Sequence, residues 1–96
     1  MEYKKIILDN KNNLKQIENL IKDIKNNNIS EQVIFDFSNI NYIKSEILGS
    51  LLSLNQYKNL KWGIININEN ISRVLKLTQV DTIIKIFNSK EKLFFE

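Results

Sequence analysis

Ninety-six residues with 43% hydrophobic side chains and a formal charge of +3 describe one modest core within residues 1–96 rather than a disordered or divided chain. There is no cysteine and no histidine. Disulfide frameworks, thiolate nucleophiles, the commonest general base and the commonest zinc ligands are therefore absent. Basic and acidic residues number six and four in 1–30, two and three in 31–60, and six and four in 61–96. No basic stripe follows, so nucleic acid is not an expected partner. The abundance of Ile, Asn and Lys reads as coding bias rather than as a functional signature.

The amino-terminal MEYKKIILDN has only a three-residue apolar run after its lysines, which fits neither a signal peptide nor a membrane span. A cytoplasmic protein is expected. Tyr3–Leu8 reads as a short strand, with Asp9 and the Asn12-Asn13 pair supplying turn and cap chemistry. Leu14, Ile17, Leu20, Ile21 and Ile24 recur at helical spacing, and Asn26-Asn27-Asn28 ends that helix. Gln32–Phe37 is β-branched and aromatic on nearly consecutive positions, as a central strand covered on both faces requires.

A second helix is predicted from Ser45 to Lys58, with Leu48, Leu51, Leu52 and Asn55 on one face and Ile47, Leu54 and Tyr57 widening it. Trp62–Ile67 is the next strand. Asn68–Asn70 turns into a short helix whose Ile71, Val74, Leu75 and Thr78 face inward, ending near Gln79. Ile83–Phe87 is read as the last strand, followed by an Asn88-Ser89 cap and a terminal helix carrying Leu93 and Phe94. Strands that alternate with helices imply parallel pairing through right-handed crossovers. The expected α/β fold is a mixed, mostly parallel sheet of about four strands with about four helices. In such sheets functional groups gather beyond the carboxyl ends of strands, which is where Ser38–Ser45 falls.

The stretch from Asp36 to Leu52, DFSNINYIKSEILGSLL, resembles the central motif of STAS domains, the anti-sigma-factor antagonists. That family reads D-[LF]-S, a short turn ending in an apolar residue, D-S-[ST]-G, and then L-G opening a leucine-rich helix. Asp36, Phe37 and Ser38 match the first part, Ile40 and Ile43 the buried turn positions, Ser45 the phosphorylated serine and Leu48-Gly49 the L-G pair. Ile64–Ile67 followed by ISRVLKLT is similar to the family's next strand and helix, and Val80-Asp81 with Ile86-Phe87 extends the likeness. One amino-terminal strand usual in the family is absent or very short. Lys44, Glu46 and Ile47 stand where the family carries Asp, Ser or Thr, and Gly.

The resemblance implies a small regulatory module that docks on a protein partner, an anti-sigma-factor kinase or related regulator, as a monomer or weak dimer. It implies phosphorylation at Ser45 and partner contacts from Asp36, Ser38, Lys44, Glu46, Leu48 and Gly49. The same fold without phosphorylation would be a constitutive adaptor in a regulatory or transport assembly. No catalytic residue, metal or cofactor is expected, because Ser45 has only Lys44 and Glu46 beside it and no base to activate it. A P-loop and a calcium loop lack their glycine and aspartate spacings.

Several positions admit more than one reading. Ser45 is either a helix N-cap, typically worth about 1 kcal/mol, or a phosphoacceptor at a helix amino terminus that tolerates anions. Asp36 is either a surface acid near that acceptor or a strand terminator that binds turn amides. Gly49, costly inside a helix by about 1 kcal/mol against Ala, is expected to have a packing reason, and so is Gly63. Trp62 reads as a packed anchor rather than a binding hot spot.

Overall fold

The computed structural model describes residues 3–26 and 32–87. Four strands, β1 (Lys4–Ile7), β2 (Gln32–Asp36), β3 (Lys61–Ile65) and β4 (Ile86–Phe87), lie side by side in chain order. Between them run α1 (Asn13–Lys25), α2 (Ser45–Ser53) with a 3-10 turn at Leu54–Gln56, and α3 (Glu69–Leu77) with a 3-10 turn at Val80–Thr82. Every neighbouring pair is parallel, with Lys5 opposite Ile34, Ile34 opposite Gly63, and Ile65 opposite Phe87. The sheet, expected to be mixed and mostly parallel, is wholly parallel among the described strands. Each parallel step needs a crossover, and each helix supplies one. Three α-helices are described; the expected fourth, with Leu93 and Phe94, lies outside the described residues.

Several boundaries move from their predicted positions, each for a local reason. The last strand begins at Ile86 rather than Ile83, because the Ile83 and Ile84 amides bond back to the Val80 carbonyl at 2.9 and 2.8 Å. The third strand stops at Ile65, since Asn66 takes a left-handed φ of 61°. The second helix ends at Ser53 and tightens into the 3-10 turn instead of continuing to Lys58. Thr78, expected inward, is exposed and bonds its hydroxyl to the Val74 carbonyl at 2.8 Å, closing α3. Asn12 has φ −120° and ψ 8°, outside the extended geometry of a side-chain cap, and makes no cap bond. Asp9 instead accepts from the Lys11 and Asn12 amides, while Gln16 clasps the Ile7 carbonyl and the Asp9 amide.

The main core fills the space between one face of the sheet and the helices. Val33, Phe35, Trp62 and Ile64 meet Ile17 and Leu20 of α1, Ile47 and Leu51 of α2, and Ile71 and Leu75 of α3. Of the face predicted for α2, Leu51 and the widening residues Ile47 and Leu54 form the buried line, whereas Leu48 and Leu52 sit half-buried at its margin and Asn55 is exposed. Trp62 packs edge-on against Phe35, centroids 5.9 Å apart at 80°, and donates its indole N–H to Asn55 at 3.0 Å. It is an interior anchor.

Ile34, Ile65 and Phe87 form a smaller buried cluster of their own. Gly63 is required here by close approach. A Cβ on it would stand 2.7 Å from the Phe87 ring and 3.0 Å from the Lys85 carbonyl. Gly63→Ala is accordingly expected to cost about 1–3 kcal/mol, the usual penalty for overpacking, read as a lower urea midpoint at unchanged m-value.

Candidate functional site

Beyond the carboxyl ends of β1, β2 and β3 the chain builds a polar node around Asp36. This residue is only 4% exposed, the one buried charged group among the described residues. Its Oδ1 accepts the Ser38 amide at 2.9 Å and the Asn66 side-chain amide at 3.1 Å, while Oδ2 pairs with the Lys5 ammonium at 3.4 Å. Burial by itself pushes the carboxyl up, but the Ser38 amide, the Asn66 amide, the Ser38 hydroxyl and Lys5 outweigh it and hold the group below its ordinary value. Of its two readings, Asp36 takes the one of strand terminator. As a surface acid it is corrected: it is buried and its oxygens bond inside the fold.

The backbone that leaves this node is fastened on several sides. Leu8 donates to the Asp36 carbonyl and Phe37 to the Ile65 carbonyl, at 3.1 and 3.0 Å, which extends the sheet bonding one step past β1 and β2. Ile40 is buried and Ile43 half-buried against the core, matching the apolar turn positions. The Asn41 amide bonds Asn10 Oδ1 at 3.3 Å. Asn68 caps α3 by accepting the Ile71 amide at 2.8 Å and donates its Nδ2 to the Asn41 and Ile40 carbonyls at 3.0 and 3.3 Å. A segment without regular secondary structure is thereby held by the loops after β1 and β3.

That segment delivers Ser45 to the surface. Lys44 is the N-cap of α2, with its carbonyl accepting from the Ile47 and Leu48 amides, and no side chain caps the helix. Ser45 is the first helical residue, exposed, and its hydroxyl takes no hydrogen bond among the described residues. Capping therefore does not account for it, because the extended cap geometry falls one residue earlier, at Lys44 φ −89°, ψ 153°. Around it Tyr42, Lys44 and Glu46 are exposed, and the Lys44 ammonium lies 5.9 Å from the Tyr42 ring centroid. Ser38 is also exposed, Leu48 half-buried and Gly49 exposed.

Gly49 does not have the packing reason expected of it. A Cβ there meets nothing within 4 Å. Gly49→Ala is expected to raise stability by about 0.5–1 kcal/mol, through reduced backbone freedom in the unfolded chain, as followed by thermal melting.

Of the expected docking set, Ser38, Lys44, Glu46, Leu48 and Gly49 share the turn and first two turns of α2 with Ser45, while Asp36 lies beneath them. Asn10, Asn66 and Asn68 were missed. Coding bias hid them, although an asparagine just past a strand end is itself a signal for left-handed backbone and for caps. Among the described residues no helix is long and apolar enough to cross a membrane. The family model for the STAS domain matches residues 5–93. No curated protein matches the chain.

Proposed function

Because this chain belongs to the STAS domain family, we propose that it is a cytoplasmic regulatory module, similar to an anti-sigma-factor antagonist, that docks on a protein partner through the Ser45 turn and α2. The partner is an anti-sigma-factor kinase or related regulator that supplies the ATP chemistry; this chain is ligand and substrate, without catalysis of its own. Phosphate on Ser45 releases the complex. The observation that carries the reading is the exposed hydroxyl of Ser45 at the start of α2, free of any capping role, at the end of a fastened turn. Gly49 adds to it: an exposed helix glycine without a packing neighbour gives a partner backbone room to approach.

A second reading is favoured by the exposed charges of Lys44 and Glu46 on either side of Ser45, which replace an acid and a small hydroxyl residue of the family pattern. On it the chain is a constitutive adaptor in a larger regulatory or transport assembly. Incubation with ATP and a lysate of the source organism, followed by intact mass of wild type and Ser45→Ala, separates the two. A serine-dependent phosphate gain supports the switch, and its absence favours the adaptor. Pull-down from the same lysate identifies the partner as an ATP-binding kinase or as a subunit of a larger assembly.

A further inference from the structure

Resting on the docking role given to the Ser45 turn, we propose that Asn68 is a positioning residue for that turn, coupling the start of α3 to the backbone that presents α2. Its two functions are chemically separable. The Oδ1 atom accepts the Ile71 amide at 2.8 Å, a task that aspartate or serine performs equally well at an N-cap. The Nδ2 atom donates to the Asn41 carbonyl at 3.0 Å and the Ile40 carbonyl at 3.3 Å, which needs an amide with two N–H donors. Among the described residues no other group answers those two carbonyls.

The other ties on the segment act elsewhere on it. Asp36 holds Ser38 at the entry, and Asn10 holds the Asn41 amide at 3.3 Å. Asn68 is what fixes the carbonyl side just before Tyr42, Lys44 and Ser45. A surface set in advance spares a partner the entropy of ordering it, so loss of the tie weakens recognition while the hydroxyl itself stays in place.

Native-state hydrogen exchange of Asn68→Asp and Asn68→Ser tests this, since both keep the cap and neither can make the paired donation. The Ile40 and Asn41 amides are expected to exchange about tenfold faster, from the loss of roughly one hydrogen bond's net worth or a little more, while the Ile71 amide is unchanged. Asn68→Ala, which also loses the cap, speeds all three. In the lysate assay with ATP, phosphate gain at Ser45 is expected to slow about tenfold in Asn68→Asp and Asn68→Ser, with the folded fraction unaltered. Unchanged exchange at Ile40 and Asn41 overturns the proposal, as does faster exchange accompanied by phosphate gain at the wild-type rate. Should wild type take up no phosphate, it is the Ser45 switch that fails, and the exchange result by itself then upholds or overturns the positioning role.

Discussion

Replacing Asp36 with alanine is expected to lower the unfolding free energy by about 3 kcal/mol at neutral pH, measured by urea titration. The change takes the acceptor from the Ser38 amide and the Asn66 side-chain amide, both part-buried bonds, and a donor left without an acceptor costs roughly 1–3 kcal/mol when buried, so two at the lower half of that range give the expected loss. Out of a total stability of about 5–15 kcal/mol, that is a substantial fraction. Asp36→Asn retains an acceptor oxygen of the same shape and loses only the charge and the Lys5 pair. A cost of about 1 kcal/mol is expected for it, because Lys5 is half-exposed and its ion pair is screened.

The same carboxylate makes stability depend on acid in a predictable direction. Its folded pKa lies below the unfolded value of about 3.9, so the unfolded chain binds the proton more readily. The stabilisation is complete above the unfolded pKa and is lost as pH falls through the folded one. Asp9, lowered chiefly by the Asn12 amide, adds to the slope in the same window. Wild type therefore loses stability below roughly pH 4, and Asp36→Asn has a shallower acid limb. An equally steep limb in Asp36→Asn would remove Asp36 from the account.

The alternation of strand and helix was readable because apolar spacing reports period directly. Leu14–Ile24 and Val33–Phe35 each carry enough apolar positions for the pattern to dominate. Where short-range backbone chemistry competes with period, the reading slipped. Ile83 and Ile84 look like strand residues, yet the Val80 carbonyl takes both of their amides. Leucine and isoleucine run round much of α2, so the sequence does not say whether Ile47 or Leu48 and Leu52 lie deepest beside Leu51; only the sheet below decides. The site was half-readable. Ser45 and its neighbours stand out at a strand-to-helix junction, but whether a serine caps a helix or starts one turns on a single residue of register. The asparagines that hold the turn lie 30 and 27 positions from their partners, Asn66 with Asp36 and Asn68 with Asn41, beyond the reach of any local pattern.

On the proposed switch, phosphate at Ser45 is expected to weaken binding of the partner about a hundredfold while leaving the stability of the free chain within about 1 kcal/mol. The separation follows from where the hydroxyl sits. Added to the first residue of α2, a group of about −1.5 to −2 charges meets the free amides and positive end of the helix, and water covers the rest of it. Lys44 attracts it and Glu46 repels it, each by roughly 0–1 kcal/mol at the surface, so the free protein feels little. Docking removes the water. A dianion then has to be buried against whatever faces the turn, and without a paired cation in the partner that desolvation is uncompensated. Titration of the captured partner with unmodified, phosphorylated and Ser45→Ala chains reads the difference, Ser45→Ala binding like the unmodified form. Equal affinity of the phosphorylated and unmodified chains would sink the switch and leave the adaptor. Gly49→Ala supplies the independent control: if α2 is part of the contact, it binds more weakly even though it melts higher, a divergence that no defect in folding produces.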